Sequence, residues 1–575
     1  MKVSDYIVDF LIEKGVSDVF GYPGGMVTHL IDSFEKRKNE ITAHVNYHEQ
    51  GAAFAACGYA QASGRVGVAY ATSGPGATNL ITGICHAWFD SVPVLFITGQ
   101  VNTYEARGEY KVRQRGFQET NIVEMVQEVT KRSICIESAE EVTKELERAW
   151  TIAQEGRKGP VLIDIPMNIL KSDIEVEKYD GGSGTEPQKY SEPCKCEKHR
   201  DFAEILNALE RSKRPCIVAG AGVRGEKCRE LFGKVTAKLN VPVVTSMIAV
   251  DLLGNAGKWG YGFIGAYGTR TANFIVAKSD LIVTLGARLD VRQVGGKRSD
   301  FAPNAKIIRV DIDKNELEYQ IRPEETDIWA DAFDVLKYLD DNWKQTETYF
   351  KEWQMVCDTI QTTLTGVDDS KANRLVQLLS RQLPNDSIIT TDVGQNQVWV
   401  AQSFLVRSGT RILFSGGHGS MGFSLPAAIG AYYGTGKPVF SFNGDGGFQM
   451  NMQELQFLVR EKIPVKVFVF NNYALGMIRH FQEMYFGGAY AQTVEGNGYT
   501  VPALDRLAGA YGLDYYRYES EEEIDGAFLR DNRPAIIEVC LNESTYVYPK
   551  LEFGKTNQDQ EPLLDRGIFE ELMNL

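Results

Sequence analysis

A carboxylate and an amide each follow an apolar segment in the last third of the chain. Asp445 lies between glycines in GDGG (444–447), and Asn472 ends IPVKVFVFNN, 27 positions later. Carboxylate, amide and carbonyl oxygens are hard ligands, and they suit an octahedral Mg²⁺ ion that also holds a diphosphate. Because glycines let a ligand approach the backbone closely, these residues predict a metal–diphosphate site.

The segments around these two residues have the pattern of strand, helix and strand. KPVFSFN and IPVKVFVF are apolar runs, and MQELQFLVREK between them repeats its apolar residues with a period of about 3.6. A right-handed crossover makes the two strands parallel, so Asp445 and Asn472 are expected at carboxyl strand ends, where ligands bind open sheets. An isolated GDG would indicate only a capped turn, but the NN pair at this distance favours the metal site.

The arrangement resembles the thiamine-diphosphate motif, which begins with GDG and ends with NN. That resemblance implies that Mg²⁺ is held by Asp445, the Asn472 side chain and the Ala474 backbone oxygen. Thiamine diphosphate also needs a carboxyl group facing its aminopyrimidine ring, and Glu49 in VNYHEQGAAFAACGYAQASG is the candidate. A charged helix start is the alternative interpretation of Glu49. The neighbouring glycine-containing loops FGYPGG and TSGPGATN favour the catalytic one.

Two further glycine-containing loops, DVGQNQVW and SGGHGSMGFSLPAAIG, follow strands of the last third. Met421 is large and apolar, so it is either a support beneath the cofactor or a core residue. Together with FGYPGG, TSGPGATN, GPVLIDIP and GDG-F-MN-QEL, these segments resemble the acetohydroxyacid (acetolactate) synthase family over roughly residues 1–550. The resemblance implies cofactor-binding roles for Pro23, Gly24, Glu49, Thr72, Asn79, Val393, Gly394, Gln395, Asn396, Gly419, Met421, Asp445, Gly446, Gly447, Asn472, Leu475, Gly476 and Met477.

The family resemblance also implies a reaction: pyruvate is decarboxylated and its hydroxyethyl unit is joined to a second 2-keto acid. It implies that substrate contacts come from Gly25, Phe117, Gln118, Ile478 and Phe481. The chain departs from the family pattern at Met167, Val291, Asn396, Phe481 and in GEYKVRQRGFQE, mostly on the acceptor side. Alternatives are therefore another acceptor such as a nucleotide-linked keto-sugar, a 2-keto-acid decarboxylase, or a non-catalytic homologue.

GAGVRG (220–225) fits GxGxxG, but the acid expected about 20 residues later is missing, which argues against a dinucleotide-dependent dehydrogenase. The family resemblance instead implies a structural FAD, bound in this part of the chain by Gly220, Gly222, Arg288, Arg292 and Asp311. Ala266 and Tyr267 differ from the usual Met and His. An empty site and an ADP-like ligand are the alternatives.

Alternating helical and apolar segments predict an α/β chain of three doubly wound, mostly parallel-sheet domains: pyrimidine-binding (1–178), central (200–345) and diphosphate-binding (371–548). A polar linker (179–199) and a C-terminal tail (549–575) complete the predicted organisation. The net charge of −15 argues against a nucleic-acid partner.

The nine cysteines lack framework spacing, and no run reaches the length of a membrane span, so a cytoplasmic protein without a membrane partner is expected. The family resemblance implies a dimer or tetramer in which Glu49 of one chain meets Asp445 of another.

Overall fold

The computed structural model describes residues 1–175, 198–521 and 526–575. The described chain contains three six-stranded sheets, each parallel throughout and flanked by helices. The predicted fold class is thereby confirmed. Of the predicted linker, residues 179–197, with Cys194 and Cys196, lie outside the described residues. Lys198 already belongs to a helix.

The first sheet has the order β2-β1-β3-β4-β6-β5. Its strands are β1 (Asp18–Gly21), β2 (Thr42–Val45), β3 (Gly67–Ala71), β4 (Val94–Gln100), β5 (Arg132–Cys135) and β6 (Val161–Pro166). The central strands β3, β4 and β6 are buried along their whole length, which explains why they appear as continuous apolar runs. The helices are α1 (Val3–Glu13), α2 (Thr28–Lys36), α3 (Glu49–Ser63), α4 (Pro75–Asn79), α5 (Ile81–Phe89), α6 (Ile122–Val126), α7 (Glu141–Gln154) and α8 (Met167–Lys171).

The central sheet has the order β12-β11-β10-β7-β8-β9, so its first and fourth strands are neighbours, and a switch point lies between them. Its strands are β7 (Pro215–Ala219), β8 (Val243–Thr245), β9 (Gly260–Phe263), β10 (Leu281–Leu285), β11 (Lys306–Asp311) and β12 (Thr326–Trp329). The helices are α9 (Lys198–Arg211), α10 (Glu226–Leu239), α11 (Leu253–Ala256), α12 (Arg270–Lys278), α13 (Val291–Val294), α14 (Lys314–Glu318), α15 (Ala332–Asn342) and α16 (Lys351–Leu364).

The third sheet has the order β14-β13-β15-β16-β18-β17, which repeats the topology of the first sheet. Its strands are β13 (Ile388–Thr391), β14 (Arg411–Leu413), β15 (Val439–Gly444), β16 (Val465–Asn471), β17 (Asp514–Tyr518) and β18 (Ala535–Cys540). The helices are α17 (Lys371–Gln382), α18 (Gln395–Ser403), α19 (Ser424–Thr435), α20 (Asp445–Met450), α21 (Leu455–Glu461), α22 (Gly476–Tyr485), α23 (Leu504–Tyr511) and, in the tail, α24 (Arg566–Asn574).

Helices α3 of the first domain and α19 of the third domain pack against each other with their backbones in contact. A Cβ on Gly58 would lie 2.1 Å from the Ala427 carbonyl oxygen, and one on Gly430 would lie 1.7 Å from the Ala55 oxygen. Only glycine fits at these two positions, so Gly58 and Gly430 let the backbones of the two helices approach closely. One hydrophobic core runs through both domains. In the described part of the chain, no helix combines the length and the apolar character that crossing a membrane requires.

Candidate active site

The two residues of the predicted metal site lie at the carboxyl ends of adjacent strands. Strands β15 and β16 pair in parallel, with Gly444 opposite Phe470. Asp445 is the first residue of α20, and Asn472 follows β16 directly. The strand–helix–strand pattern thus places the carboxylate and the amide side by side, as expected for a right-handed crossover.

Three oxygen atoms converge between these strand ends. The Asn472 side-chain oxygen lies 3.3 Å from Asp445 Oδ2 and 3.0 Å from the Ala474 carbonyl oxygen. Three oxygens with no donor between them repel one another, and rotating the Asn472 amide would relieve the contact. An octahedral Mg²⁺ ion holds neighbouring oxygens about 3 Å apart, so a cation between them satisfies the present orientation. The ligand set therefore fits the metal.

Asp445 is held by donors from two sides. The Tyr499 hydroxyl donates to Oδ1 (2.8 Å), and the Asn472 backbone N–H donates to Oδ2 (3.1 Å). The residue is only 2% exposed, and burial raises the pKa of its carboxyl to about 6. A bound cation offsets this desolvation cost because it favours the charged carboxylate. Among the described residues, no cluster of three His, Cys, Asp or Glu side chains offers another metal site.

Buried polar atoms without partners surround the metal loop. They are Gln395 Nε2, Asn396 Oδ1, Gln397 Nε2 and Ser420 Oγ, none of which has a hydrogen bond within the described chain. Buried polar groups are normally paired. The two amide nitrogens and the hydroxyl can donate to the oxygens of a diphosphate group next to the metal, whereas Asn396 Oδ1 can only accept and needs a donor.

Asp392 holds together the loops that carry these polar atoms. Its Oδ1 accepts hydrogen bonds from the Val393 and Gly422 N–H groups (2.8 and 2.9 Å), and its Oδ2 accepts from Ser424 N (3.2 Å). Burial raises the pKa of Asp392 to about 7. A Cβ on Gly447 would lie 2.3 Å from Asp392 Oδ1, so glycine is required where α20 passes this carboxyl group.

Met421 and Leu475 line the apolar side of the site. A Cβ on Gly446 would lie 3.3 Å from Met421 Cε and 2.7 Å from Leu475 Cδ2, so the two side chains converge over this glycine. Gly419 lies in the same loop as Met421, in a left-handed conformation (φ +70°). Both interpretations of Met421 remain compatible with this position.

Glu49 is the first residue of α3 and is buried. Asn79 Nδ2 donates to its Oε2 (2.9 Å), while Oε1 has no hydrogen-bond partner among the described residues. Oε1 faces Gly76, whose missing side chain leaves room beside it: a Cβ there would lie 3.2 Å away. One carboxylate oxygen is therefore held and the other is free to meet a ligand.

The remaining predicted residues of the first domain lie in loops that follow its strands. Met26 N donates to Thr72 Oγ1 (3.2 Å), and a Cβ on Gly24 would lie 2.5 Å from the Thr72 side chain. Gln118 has φ +63° and lies against Gly74. The other members, Pro23, Gly25 and the 79% exposed Phe117, lie in the same strand-end loops or the loop after β4.

One large cavity, of about 1200 Å³, extends from the third domain to the central domain. Its lining includes most of the predicted residues of the third domain: Val393, Gly394, Gln395, Asn396, Met421, Asp445, Gly446, Gly447, Asn472, Ala474, Leu475, Gly476, Met477, Ile478 and Phe481. None of the predicted residues of the first domain is among its lining residues. One chain therefore separates the predicted cofactor residues into two groups, with Glu49 and Asp445 in different groups.

The part of the cavity that lies in the central domain, called the central arm, reaches the switch point between β7 and β10. Gly222, Arg288, Arg292 and Asp311 line it, and Gly220 lies just outside. A Cβ on Gly220 would lie 2.0 Å from the Gly286 carbonyl oxygen, so these two loops are in backbone contact. Burial raises the pKa of Asp311 to about 6. Strand β8 ends at Thr245 without an acid, which agrees with the missing acid of the sequence pattern.

Several residues of the site were missed by the sequence analysis. Tyr499 donates to Asp445, and no sequence signal marks it. Gln397 lines the cavity and lies within the DVGQNQVW segment, which was a usable signal. Asp392 precedes VGQ, and a buried strand ending in Asp was a usable signal. Glu454 is fully buried and accepts hydrogen bonds from Asn46 Nδ2 (3.0 Å) and Tyr47 N (2.9 Å) of the first domain, a contact that spans 408 positions.

Comparison with known proteins identifies three matching domain families. Residues 1–125 match the N-terminal TPP binding domain of thiamine pyrophosphate enzymes, 202–339 the central domain, and 392–539 the C-terminal TPP binding domain. The acetolactate synthase large subunit of Lactococcus lactis subsp. lactis (strain IL1403) is 34% identical over 96% of this chain and 94% of its own length.

Two further relatives have similar names. Acetolactate synthase isozyme 2 large subunit of Escherichia coli (strain K12) is 32% identical over 97% of this chain and 99% of its own length. The probable acetolactate synthase large subunit of Methanocaldococcus jannaschii is 34% identical over 94% and 92%, respectively. The similarity therefore covers nearly the whole chain.

Proposed function

Since this chain belongs to the acetolactate synthase large-subunit family of thiamine-pyrophosphate enzymes, we propose that it decarboxylates pyruvate and joins the hydroxyethyl unit to a second 2-keto acid. The observation that carries the proposal is the convergence of the Asp445, Asn472 and Ala474 oxygens beside unpartnered buried polar atoms. Such a site suits a metal-bound diphosphate cofactor. The relatives' names supply the product, acetolactate.

The third domain holds the charged end of the cofactor. Asp445, Asn472 and Ala474 would bind Mg²⁺, and the unpartnered N–H groups of Gln395 and Gln397 would donate to the diphosphate oxygens. When bound, thiamine diphosphate supplies the carbon nucleophile and the electron sink for decarboxylation. Met421 and Leu475 give the site an apolar wall that excludes water.

Glu49 is proposed as the group that holds and moves a proton at the aminopyrimidine ring. Asn79 holds its Oε2, so the unpaired Oε1 has a defined position beside Gly76. Because the cavity that contains Asp445 does not include Glu49, a second copy of the chain would supply this carboxyl group. This arrangement supports a homo-oligomer with each active site between two chains.

An FAD molecule is proposed for the central arm of the cavity. The switch point between β7 and β10 is where doubly wound sheets bind dinucleotides, and Arg288 and Arg292 offer positive charge beside it. Denaturing the purified protein and measuring flavin absorbance near 450 nm in the supernatant tests this proposal: one flavin per chain is expected, and none would refute it.

A cytoplasmic location is also proposed. The seven described cysteines are all unpaired, which suits a reducing compartment.

The proposed reaction is tested by a product assay. Purified protein is incubated with thiamine diphosphate, Mg²⁺ and pyruvate, and acetolactate is measured by mass spectrometry. We expect acetolactate and CO₂ in equal amounts from the wild type, and under about 1% of that rate from Glu49→Gln, because general acid–base groups contribute about 10²- to 10⁴-fold. Bound cofactor without CO₂ release from the wild type would refute the proposal.

A further inference from the structure

The C-terminal tail places a lysine without a counter-ion in the wall of the active-site cavity. Lys550 lines the cavity and is only 7% exposed. Within residues 1–175, 198–521 and 526–575, no carboxylate forms an ion pair with its ammonium group, and no acceptor forms a hydrogen bond with Nζ. Burial alone lowers the pKa of Lys550. A buried unpaired charge is costly, and a bound ligand of opposite charge would offset that cost.

The backbone at Lys550 is fixed. Lys550 and Glu561 exchange two backbone hydrogen bonds (2.9 and 2.8 Å), and Leu551 N donates to the Ala266 carbonyl oxygen of the central domain (2.7 Å). Arg270 donates to the Gln560 carbonyl oxygen (3.0 Å), which holds the returning segment. The lysine is therefore positioned by the fold and is not a mobile side chain of a loose tail.

The Phe481 ring of α22 lies near the ammonium group and packs against a ring of the tail. Nζ lies 6.0 Å from the centroid of the Phe481 ring, and Phe553 packs edge-on against Phe481 (6.4 Å) and beside Tyr485 (5.5 Å). Burial, and then the charge of Lys550, lower the pKa of His480 to about 4. Since His480 is neutral at pH 7, Lys550 is the cation that the tail contributes to this wall, while Arg288 and Arg292 line the central-domain part of the same cavity.

The position of Phe481 relates Lys550 to the metal loop. Gly476, the first residue of α22, belongs to that loop, and Phe481 lies five residues further, about 7.5 Å along the helix axis. A cation at this distance lies beyond the metal and diphosphate ligands of the loop. Lys550 and Phe481 line the same cavity as Asp445, so a reactant bound beyond the cofactor can reach the ammonium group.

We infer that Lys550 binds the anionic group of the acceptor, which is the carboxylate when the acceptor is a 2-keto acid. The inference rests on the proposed carboligase function and adds the charge of the acceptor to it. The ammonium group would hold the anion while the aromatic rings of Phe481 and Phe553 contact the carbon chain. The acceptor carbonyl is thereby oriented towards the cofactor, and uncharged acceptors are disfavoured.

The test compares charged and uncharged acceptors in the holoenzyme. With pyruvate as donor, acetolactate reports a charged acceptor and acetoin, formed with added acetaldehyde, a neutral one. Because hydrogen bonds to charged groups are strong, Lys550→Met is expected to lower kcat/KM for acetolactate by about 10- to 100-fold and to leave acetoin formation within about twofold. Lys550→Arg should retain most acetolactate formation, and Lys555→Met, an exposed lysine of the same tail, should change neither product.

A second acceptor pair identifies the anion. Dihydroxyacetone phosphate and dihydroxyacetone replace pyruvate and acetaldehyde as acceptors. If Lys550→Met affects only the carboxylate pair, the anion is a carboxylate; if it affects only the phosphate pair, the anion is a phosphate. If charged and neutral acceptors lose rate equally, or if neither does, Lys550 does not bind an acceptor anion and the inference is wrong.

A control separates this failure from failure of the proposed function. CO₂ release from pyruvate with 2,6-dichlorophenolindophenol as oxidant reports the donor half of the reaction without any acceptor. Wild type and Lys550→Met should release CO₂ at the same rate. A wild type that releases none would overturn the proposed function itself, whereas normal CO₂ release with unchanged acceptor preference would overturn only the role of Lys550.

Discussion

Two inactive variants should restore activity when their chains are mixed. Glu49 and Asp445 belong to different residue groups of one chain, because the cavity lined by Asp445 does not include Glu49. If each active site combines Glu49 of one chain with Asp445 of another, a dimer of Glu49→Gln and Asp445→Asn chains has one doubly altered site and one intact site. Neither variant alone has an intact site.

Both substitutions are compatible with the local hydrogen bonds. In Glu49→Gln, the side-chain oxygen still accepts from Asn79. In Asp445→Asn, the oxygen still accepts from Asn472 N while the amide faces the Tyr499 hydroxyl, which can accept. Both folds are therefore expected to persist, and the loss of activity reflects chemistry or metal binding.

The size of the recovery follows from symmetry. If chains associate at random, half of the dimers are mixed, and half of the sites in each mixed dimer are intact, so about one quarter of the wild-type activity is expected. Each variant alone should stay below about 1%. The two chains are co-expressed with different affinity tags, and acetolactate formation is measured before and after tandem purification, which should raise the recovery to about one half.

The reasoning would be refuted if the mixed dimers were inactive although each variant binds thiamine diphosphate or has the melting temperature of the wild type. That result would mean that Glu49 and Asp445 act within one chain. Co-expression of Glu49→Gln with itself under two tags is the matched control, and it should remain inactive.

Three further outcomes test the packing, the buried acid and the metal site. Gly430→Ala places a Cβ 1.7 Å from the Ala55 oxygen, so urea denaturation should show about 1–3 kcal/mol of destabilisation, and an unchanged midpoint would contradict the packing argument. Burial raises the pKa of Glu454 from 4.5 to about 7, so its folded form holds a proton more tightly and its stabilising contribution is lost as the pH rises through that range. The free energy of unfolding of Glu454→Gln relative to that of the wild type should therefore increase between pH 5 and pH 7.5, by about 3 kcal/mol at most. If urea denaturation gives the same difference between the two proteins at pH 5 and at pH 7.5, this expectation is wrong. Tyr499→Phe removes the hydroxyl that donates to Asp445. Because such a charge-assisted hydrogen bond contributes about 1–2 kcal/mol, the Mg²⁺ concentration for half-maximal activity should rise about 5- to 30-fold at unchanged maximal rate. An unchanged Mg²⁺ requirement would exclude this role of Tyr499.

Local patterns were sufficient to predict the parallel sheets and the strand ends at which Asp445 and Asn472 lie. Apolar runs such as β15 and β16 are buried on both faces, so their period and length identify them as strands in the amino-acid sequence itself. The crossover rule then places Asp445 beside Asn472. Edge strands such as β14, with three residues, carry too little pattern to be predicted in this way.

The sequence by itself determined which residue types end each central strand, because burial and chain direction are encoded locally in period, glycine and apolar run length. Only the tertiary structure decided which of these ends face each other. It placed Tyr499 on Asp445, Glu454 against Asn46 and an unpaired Lys550 in the cavity wall. Such contacts join positions up to several hundred residues apart, and an apolar pattern specifies that a surface is buried without specifying against what.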